Sequence, residues 1–527
     1  MRNIKMWLAT AVLLTSVGLN LRAQDDAQAV VSGAAQALGA ANLMTIQYSG
    51  TGTIATFGQN WKHDVQWPEF KLTSYTVDID YRTPAMRVDL TRDNPENGLP
   101  MQGGGYPLLA PQRVNQAVSG KLAWNSFGQN TVADLASVND RTLEIWSTPQ
   151  GVIKAAQAAG ANVKAQTVKN SKGEITGTIL TFPVGNTTFK ATVTKDNLIS
   201  RVEYTTDTAM LGDTTTTVLY TGYQDYGGVK FPAKMARLQG GVRSVNMDSY
   251  PTLTLAVNKV MPNATVAIDV PQNVQQAAAA PPAAIVPVVD KITDGVYLVS
   301  GQGPNSVAVE FGDHIAVVEA PVGDAVVMAR FDAIRKTVPN KPIKYLISTH
   351  HHFDHAGGVR AAVAEGAILV VPGWSRVFYD RVMLAPHTLN PDLQAKSPKE
   401  PMIEDVGTAF GTERDMREFT DAKRTLRVYR VLGSQEADAM LILYLPNEKM
   451  LIEADMFTPS TPNPDAVPAA PAGGAGGRGR EAPLILTPEP LVLYNNIKRL
   501  KLDVETIVPL HGRPVKMAEL LSTIGEN

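Results

Sequence analysis

Apolar and polar positions alternate along much of the first half of this chain. Tyr75-Thr76-Val77-Asp78-Ile79-Asp80-Tyr81 and Met86-Arg87-Val88-Asp89-Leu90 place apolar side chains on one face of an extended strand and polar ones on the other. That pattern suits a sheet buried on one face. Phe189 to Thr194 and Leu198 to Tyr204 flank Lys195-Asp196-Asn197, a hairpin turn, and Thr217-Val218-Leu219-Tyr220 and Val229-Lys230-Phe231 flank Tyr223-Gln224-Asp225-Tyr226-Gly227-Gly228 in the same way. With an early helix over Ala27 to Leu38, the pattern predicts an antiparallel β-rich domain. Further on the strand-like runs are short and apolar. Tyr345-Leu346-Ile347-Ser348 reads as a buried strand, and Gly358-Val359-Arg360-Ala361-Ala362-Val363-Ala364-Glu365 as the opening of a helix.

Between the two regimes, the alanine- and proline-rich run from Gln272 to Ala284 shows no amphipathic period and reads as a linker over 272–288. A length of 527 residues predicts more than one domain. The expected division is a β-rich accessory domain over 24–271 and a second domain over 289–527. Thr458 to Pro490 is rich in proline and glycine, cannot bury a core, and is expected to be a mobile insertion, either a lid over a site or a solvated loop. Its glycines are not followed by Lys-Ser or Lys-Thr, so they do not form a phosphate loop.

The ends and the composition narrow the function. Residues 1–23 carry Arg2 and Lys5, then the mainly apolar run Met6 to Val17, then Leu21-Arg22-Ala23, which together read as a signal peptide. The apolar run is shorter than the ~20 residues a spanning helix needs. A periplasmic or secreted protein is therefore expected. The chain has no cysteine, which excludes thiol catalysis and disulfides, and no Gly-x-Ser-x-Gly elbow supports a serine hydrolase. A formal net charge of −2 gives no reason to expect nucleic acid as a partner.

The chemistry concentrates in Ser348-Thr349-His350-His351-His352-Phe353-Asp354-His355-Ala356-Gly357-Gly358, which holds four of the eight histidines. Imidazoles and a carboxylate suit zinc and its first-row neighbours, and a loop between a strand and a helix can turn several of them toward one point. Asp354 could instead be only a helix cap. His63, His314 and His387 fit no ligand pattern and are expected at the surface or in loops, with His387 in a segment that could line a substrate pocket.

The spacing His350-x-His352-x-Asp354-His355 resembles the signature of the metallo-β-lactamase superfamily, and the resemblance runs over roughly residues 289 to 520. It implies an α+β fold whose C-terminal part is an αββα sandwich. It also implies two divalent metals, with His350 and His352 on the first, Asp354 and His355 on the second, and Asp354 orienting the nucleophile. Val317-Val318-Glu319-Ala320-Pro321 is similar to the early strand that ends in an acidic residue below the metals. Met450-Leu451-Ile452-Glu453-Ala454-Asp455 is similar to the strand that delivers the bridging aspartate, and Ile507-Val508-Pro509-Leu510-His511-Gly512 to the strand end carrying the last histidine.

One element of the family pattern is missing. Where a third histidine of the first site is expected, before Leu441-Ile442-Leu443-Tyr444-Leu445-Pro446, this chain places Glu436, and no histidine lies between His387 and His511. Either Glu436 is the ligand, or the first site is weakened or lost. Carboxylate binds zinc at a distance similar to imidazole nitrogen, so a site with Glu436 is chemically sound. The harder oxygen ligand also admits manganese or iron.

The resulting expectation is an exported hydrolase that uses a metal-bound hydroxide on a small carbonyl substrate such as a β-lactam, lactone, ester or thioester. Two other readings stay open. One is a binding protein with a degenerate first site. The other is a lipid or lipoprotein carrier acting through an apolar ligand of the N-terminal sheet, whose pattern resembles carrier-type curved sheets.

Overall fold

The alternation of residues 45–262 folds into a thirteen-stranded antiparallel sheet in the computed structural model, which describes residues 26–96, 102–128, 130–240, 250–281, 283–407, 416–459 and 488–526. The expected signal peptide and residues 460–487 of the expected insertion lie outside them. Two meanders make up the sheet. One runs from Thr45–Ala55 to Asn130–Ala133 and the other from Lys164–Lys169 to Tyr250–Pro262, and the first strand of the former pairs with the last of the latter. Val218 and Tyr220 enter the core while Leu219 and Thr221 line the opposite face, as a period of two requires.

That core is closed by helices. Ala27, Val31 and Ala34 of helix 26–37, with Leu143, Ile145, Val152 and Ile153 of helices Val138–Ser147 and Pro149–Ala159, pack on Tyr48, Val77, Val202 and Phe231. Side chains thus fill the helix-covered face of the sheet. The run expected as an irregular linker differs at its start, because Gln272–Ala279 is a helix. Val274 is fully buried between Ala117 and Trp124, and Asn273 Nδ2 donates to Thr131 O at 2.8 Å. One anchoring apolar side chain within residues of high helix propensity was enough, a signal too short to show as a period.

The remaining strands form two sheets, of seven strands from Val288–Thr293 to Ile403–Val406 and of six from Met416–Thr420 to Val515–Lys516. Val307, Val309, Val318 and Ile347 of the first pack against Leu426, Val428, Ile442 and Leu451 of the second. Their neighbours Ala308, Val317 and Leu346 face outward onto Val327, Phe331 and Ile334 of helix Asp324–Thr337. Burial on both faces explains why these strands read as continuous apolar runs. The order of layers is helix, sheet, sheet, helix.

The two domains share core. Met210 and Leu211, at the tip of the hairpin formed by Ile199–Thr208 and Gly212–Asp225, are 0% and 2% exposed and belong to the same apolar cluster as Val327, Val359 and Met383. Beside them Asp213 accepts hydrogen bonds from Thr388 N at 2.9 Å, from Leu389 N at 3.2 Å and from the Thr388 hydroxyl. His387 is buried in this contact, with Nδ1 3.4 Å from Asp207 Oδ1. His387 lies in a loop, one of the two places expected for it, but is not at the surface, since a docking domain covers it. His63 is half-buried, its ring 5.9 Å from Phe378 and 6.3 Å from His351. His314 stacks on Phe311 at 4.7 Å.

Candidate metal centre

Four chain segments end at one point between the two sheets. Strand Ile343–Ile347 leads into the loop with His350 and His352, and the four-residue helix Phe353–Ala356 carries Asp354 and His355. The cap position of that helix is His352, so Asp354 is free of a capping role. Glu319 follows Ile315–Val318, Asp455 follows Met450–Glu453, and His511 follows Thr506–Pro509. Glu319 and Asp455 have φ of 70° and 58°, a left-handed conformation that costs a non-glycine residue of order 1–3 kcal/mol and clusters at functional sites.

The predicted residues converge. His352 Nδ1 lies 3.3 Å from Glu436 Oε1. Asp455 Oδ2 lies 3.3 Å from His350 Nε2 and 2.8 Å from His355 Nε2, and its Oδ1 lies 3.0 Å from His511 Nε2. Asp455 therefore reaches both halves of the cluster. Asp354 Oδ2 is 3.6 Å from His355 Nε2 and 3.9 Å from His511 Nε2. Two trios, Glu319 with His350 and His355, and Asp354 with His355 and His511, each bring all their ligand atoms within 4.8 Å of one another. Glu319 accepts from Thr349 N through Oε1 at 2.8 Å, and its Oε2 is 3.6 Å from His355 Nδ1. It both holds the ligand loop and borders the cluster.

The donor set fits a metal. His350 Nε2, His352 Nδ1, His355 Nδ1, Glu319 Oε2 and Asp455 Oδ2 are buried in imidazole–carboxylate contacts of 2.8–3.6 Å that leave them without a well-aligned hydrogen bond, and a cation would satisfy such atoms. Burial, then repulsion from His352 and His355, holds His350 well below the ordinary imidazole range, so it is a neutral donor. Burial opposes ionisation of Asp455, but His355 and His511 outweigh it and keep the carboxylate charged. Burial raises Glu436, with Asp455 and Asp354 adding to the rise and His352 opposing it. Anions crowded in low dielectric in this way are relieved by a divalent cation.

Two buried carboxyls that sequence reasoning missed support this set. Glu453 Oε2 accepts from Met456 N at 3.0 Å and Phe457 N at 3.2 Å, fixing the turn beyond Asp455, and burial pushes its pKa up to about 8. Glu489 accepts from Gln435 N at 2.6 Å and Ser434 Oγ at 3.1 Å, and Ser434 Oγ in turn accepts from Glu436 N at 3.0 Å. Burial raises the Glu489 pKa to about 7. Neither had a motif to find it by. For Glu453, the one available signal was a charged residue inside an apolar strand.

The chain is similar to known proteins over part of its length. The sequence model of the metallo-beta-lactamase superfamily matches residues 303–381. Two proteins named linear primary-alkylsulfatase, both from Pseudomonas, are similar. One is 35% identical over 79 residues, 15% of this chain and 12% of that protein, and the other 26% identical over 245 residues, 40% of this chain and 43% of that protein. The chain thus spans less than half the length of the curated relatives it matches. Among solved structures, a metallo-beta-lactamase from Pontibacter korlensis is 19% identical with a TM-score of 0.30, covering 45% of this chain and 97% of its own. FIM-1 from Pseudomonas aeruginosa is 17% identical with a TM-score of 0.31, covering 46% and 94%. The matched segment 303–381 contains the histidine-rich loop 348–358, so this part of the C-terminal region is similar to the metallo-beta-lactamase superfamily.

Proposed function

We propose that this chain is a metal-dependent hydrolase whose centre is held by His350, His352 and Glu436 on one side and by Asp354, His355 and His511 on the other, with Asp455 between them. The observation that carries the proposal is the convergence of buried imidazoles and carboxylates in two trios that share His355, each with its ligand atoms within 4.8 Å, and Asp455 Oδ2 within 3.3 Å of both His350 and His355. Two divalent cations there, zinc first and manganese or iron as alternatives admitted by Glu436, would polarise the scissile group and make a water acidic enough to ionise near neutral pH. The side chains do the rest. Asp354 and His511 are the open members, 21% and 32% exposed, so substrate approaches from their side. Asp354 keeps Oδ2 toward the cluster while Oδ1 is held by Gln59, which leaves one oxygen to orient the attacking water.

The substrate we assign is a small carbonyl compound such as a β-lactam, lactone, ester or thioester. Asp354, Asp455 and Glu436 already place three carboxylates in the centre, and a reacting group that is an uncharged carbonyl adds no further anion there. A second reading, a sulfate monoester of a primary alcohol, is carried by the names of the two curated relatives. No helix among the described residues is long and apolar enough to cross a membrane. Export from the cytoplasm is supported by the pattern of residues 1–23.

The test is metal analysis of the purified full chain, followed by a hydrolysis panel of β-lactam, lactone, thioester, primary alkyl sulfate and phosphodiester. Two metals per chain with turnover on one class is the expected result. Protein that takes up no metal and turns over none of these compounds would overturn the proposal.

A further inference from the structure

The metal centre is built by both domains. The loop over residues 56–68, which joins strands Thr45–Ala55 and Glu69–Asp80 of the N-terminal sheet, leaves that sheet and lies across the ligand loops. Phe57 and Trp67 grip the ring of Phe353, the residue between His352 and Asp354, with centroids at 5.4 and 6.0 Å. Gly58 O accepts from Phe353 N at 3.2 Å. Gly58 has φ of 83°, and a Cβ there would lie 2.5 Å from the Phe353 ring, so only glycine permits this approach. Trp61 spans to the other ligand loop, with Nε1 donating to Ser434 O at 3.0 Å and its carbonyl accepting from Asp438 N at 2.9 Å.

Two contacts of this loop fall on the ligands themselves. Asn60 O lies 3.1 Å from His352 Nε2 and 2.8 Å from His351 Nε2. A carbonyl oxygen only accepts, so the His352 proton must sit on Nε2, and the lone pair is left on Nδ1. Nδ1 is the partnerless atom that faces Glu436. Gln59 Nε2 donates to Asp354 Oδ1 at 2.7 Å, which occupies one carboxylate oxygen and leaves Oδ2 toward His355 and His511. A second loop of the same domain locks Gln59 in place. Gly104 N donates to Gln59 O at 2.8 Å, and a Cβ on Gly104 would lie 1.8 Å from Gln59 Oε1 and 2.8 Å from Glu436 Oε1.

We propose that Gln59 and the Asn60 carbonyl are positioning groups for the metal centre, so that the N-terminal domain sets metal affinity in the C-terminal one. The proposal rests on the metal-dependent reading above and adds a role for the first domain to it. Hydrogen bonds of this kind to ligating His and carboxylate groups fix their orientation, and their loss typically weakens metal binding by about 10–100-fold.

The experiment compares full-length wild type with Gln59→Leu, which keeps volume but loses the donor, and with Gln59→Glu, which sets an anion against Asp354. Zinc affinity is read by competition with a chromophoric chelator, and the melting temperature of the metal-free protein is read in parallel. Gln59→Leu should bind one of two zinc ions about 10–100-fold more weakly, and Gln59→Glu more weakly still, with the metal-free melting temperature unchanged. Wild-type affinity in both variants overturns the proposal, as does an affinity loss matched by a fall in metal-free melting temperature, since that would make Gln59 a folding residue. Gln59→Asn, which keeps the amide but shortens its reach to Asp354 Oδ1 without touching Glu436, decides the question if Gln59→Leu or Gln59→Glu does not fold. A wild-type chain that binds no zinc overturns the metal reading itself, an outcome distinct from the others.

Discussion

Glu436 sits 3.3 Å from His352 because Glu489 and Ser434 shape the turn that carries it, so a carboxylate stands where the family pattern has an imidazole. If it is a ligand, Glu436→Ala should lose at least one of two metals on dialysis against metal-free buffer, an effect of tenfold or more in affinity. Retention of two metals by that variant would remove Glu436 from the set. A different residue-scale test lies at the domain contact. Burial raises the Asp213 carboxyl, but the Thr388 hydroxyl and the amides of Thr388 and Leu389 donate to it and bring it below its ordinary range. A depressed folded pKa means that the contribution is present above the unfolded value of about 3.9 and is lost as pH falls through the folded value. Asp213→Asn should therefore cost roughly 1 kcal/mol in urea unfolding at pH 7, after allowance for its partial exposure, and the difference should fade as pH falls through the depressed folded value. A difference that persists unchanged in acid would show that the carboxylate charge is not what docks the hairpin.

At the scale of elements, the hairpin tip at Met210 and Leu211 does for the two domains what a core residue does within one. Burying such a side chain is worth about 1.5–3 kcal/mol. A carboxylate in its place would have to be desolvated. Leu211→Asp is expected to separate a single unfolding transition into two and to lower the earlier one by several kcal/mol. One unchanged cooperative transition would mean that the loop over 56–68 suffices to couple the domains. The strands themselves were legible from alternation, as Glu69–Asp80 and Ala85–Asp93 show. The helix Gln272–Ala279 was not, because a single buried valine makes no period.

For the whole molecule, the two sheets and the N-terminal loop surround a cluster whose carboxylates, among the described residues, have only imidazoles as ion-pair partners. A bound cation stabilises the folded chain by mass action, about 2.7 kcal/mol when free metal is at a hundred times its Kd. Stripping metal with a chelator should lower the melting temperature by a few degrees, and added zinc should restore it. An identical melting temperature with and without bound metal would argue that these side chains are not organised around a cation. The buried hairpin tip makes independent motion of the two domains a poor default, since Met210 and Leu211 belong to an apolar cluster of the C-terminal domain.

The sequence by itself determined the resemblance of the C-terminal region to the metallo-beta-lactamase superfamily and named the residues that cluster. A run such as His350-x-His352-x-Asp354-His355 is local, and the strands leading to Asp455 and His511 carry their own apolar signal. Convergence of those segments was implied only by resemblance, and the distances came from the packing of two sheets. Tertiary structure alone decided what holds the clustered side chains in place. Gln59 is 295 positions from Asp354, in a loop whose residues carry no metal pattern, and its role exists only because a second domain docks there. Hydrogen bonds between distant segments leave no periodicity and no spacing to read. They appear once the hydrophobic contacts at Phe57, Trp67, Met210 and Leu211 have fixed which surfaces meet.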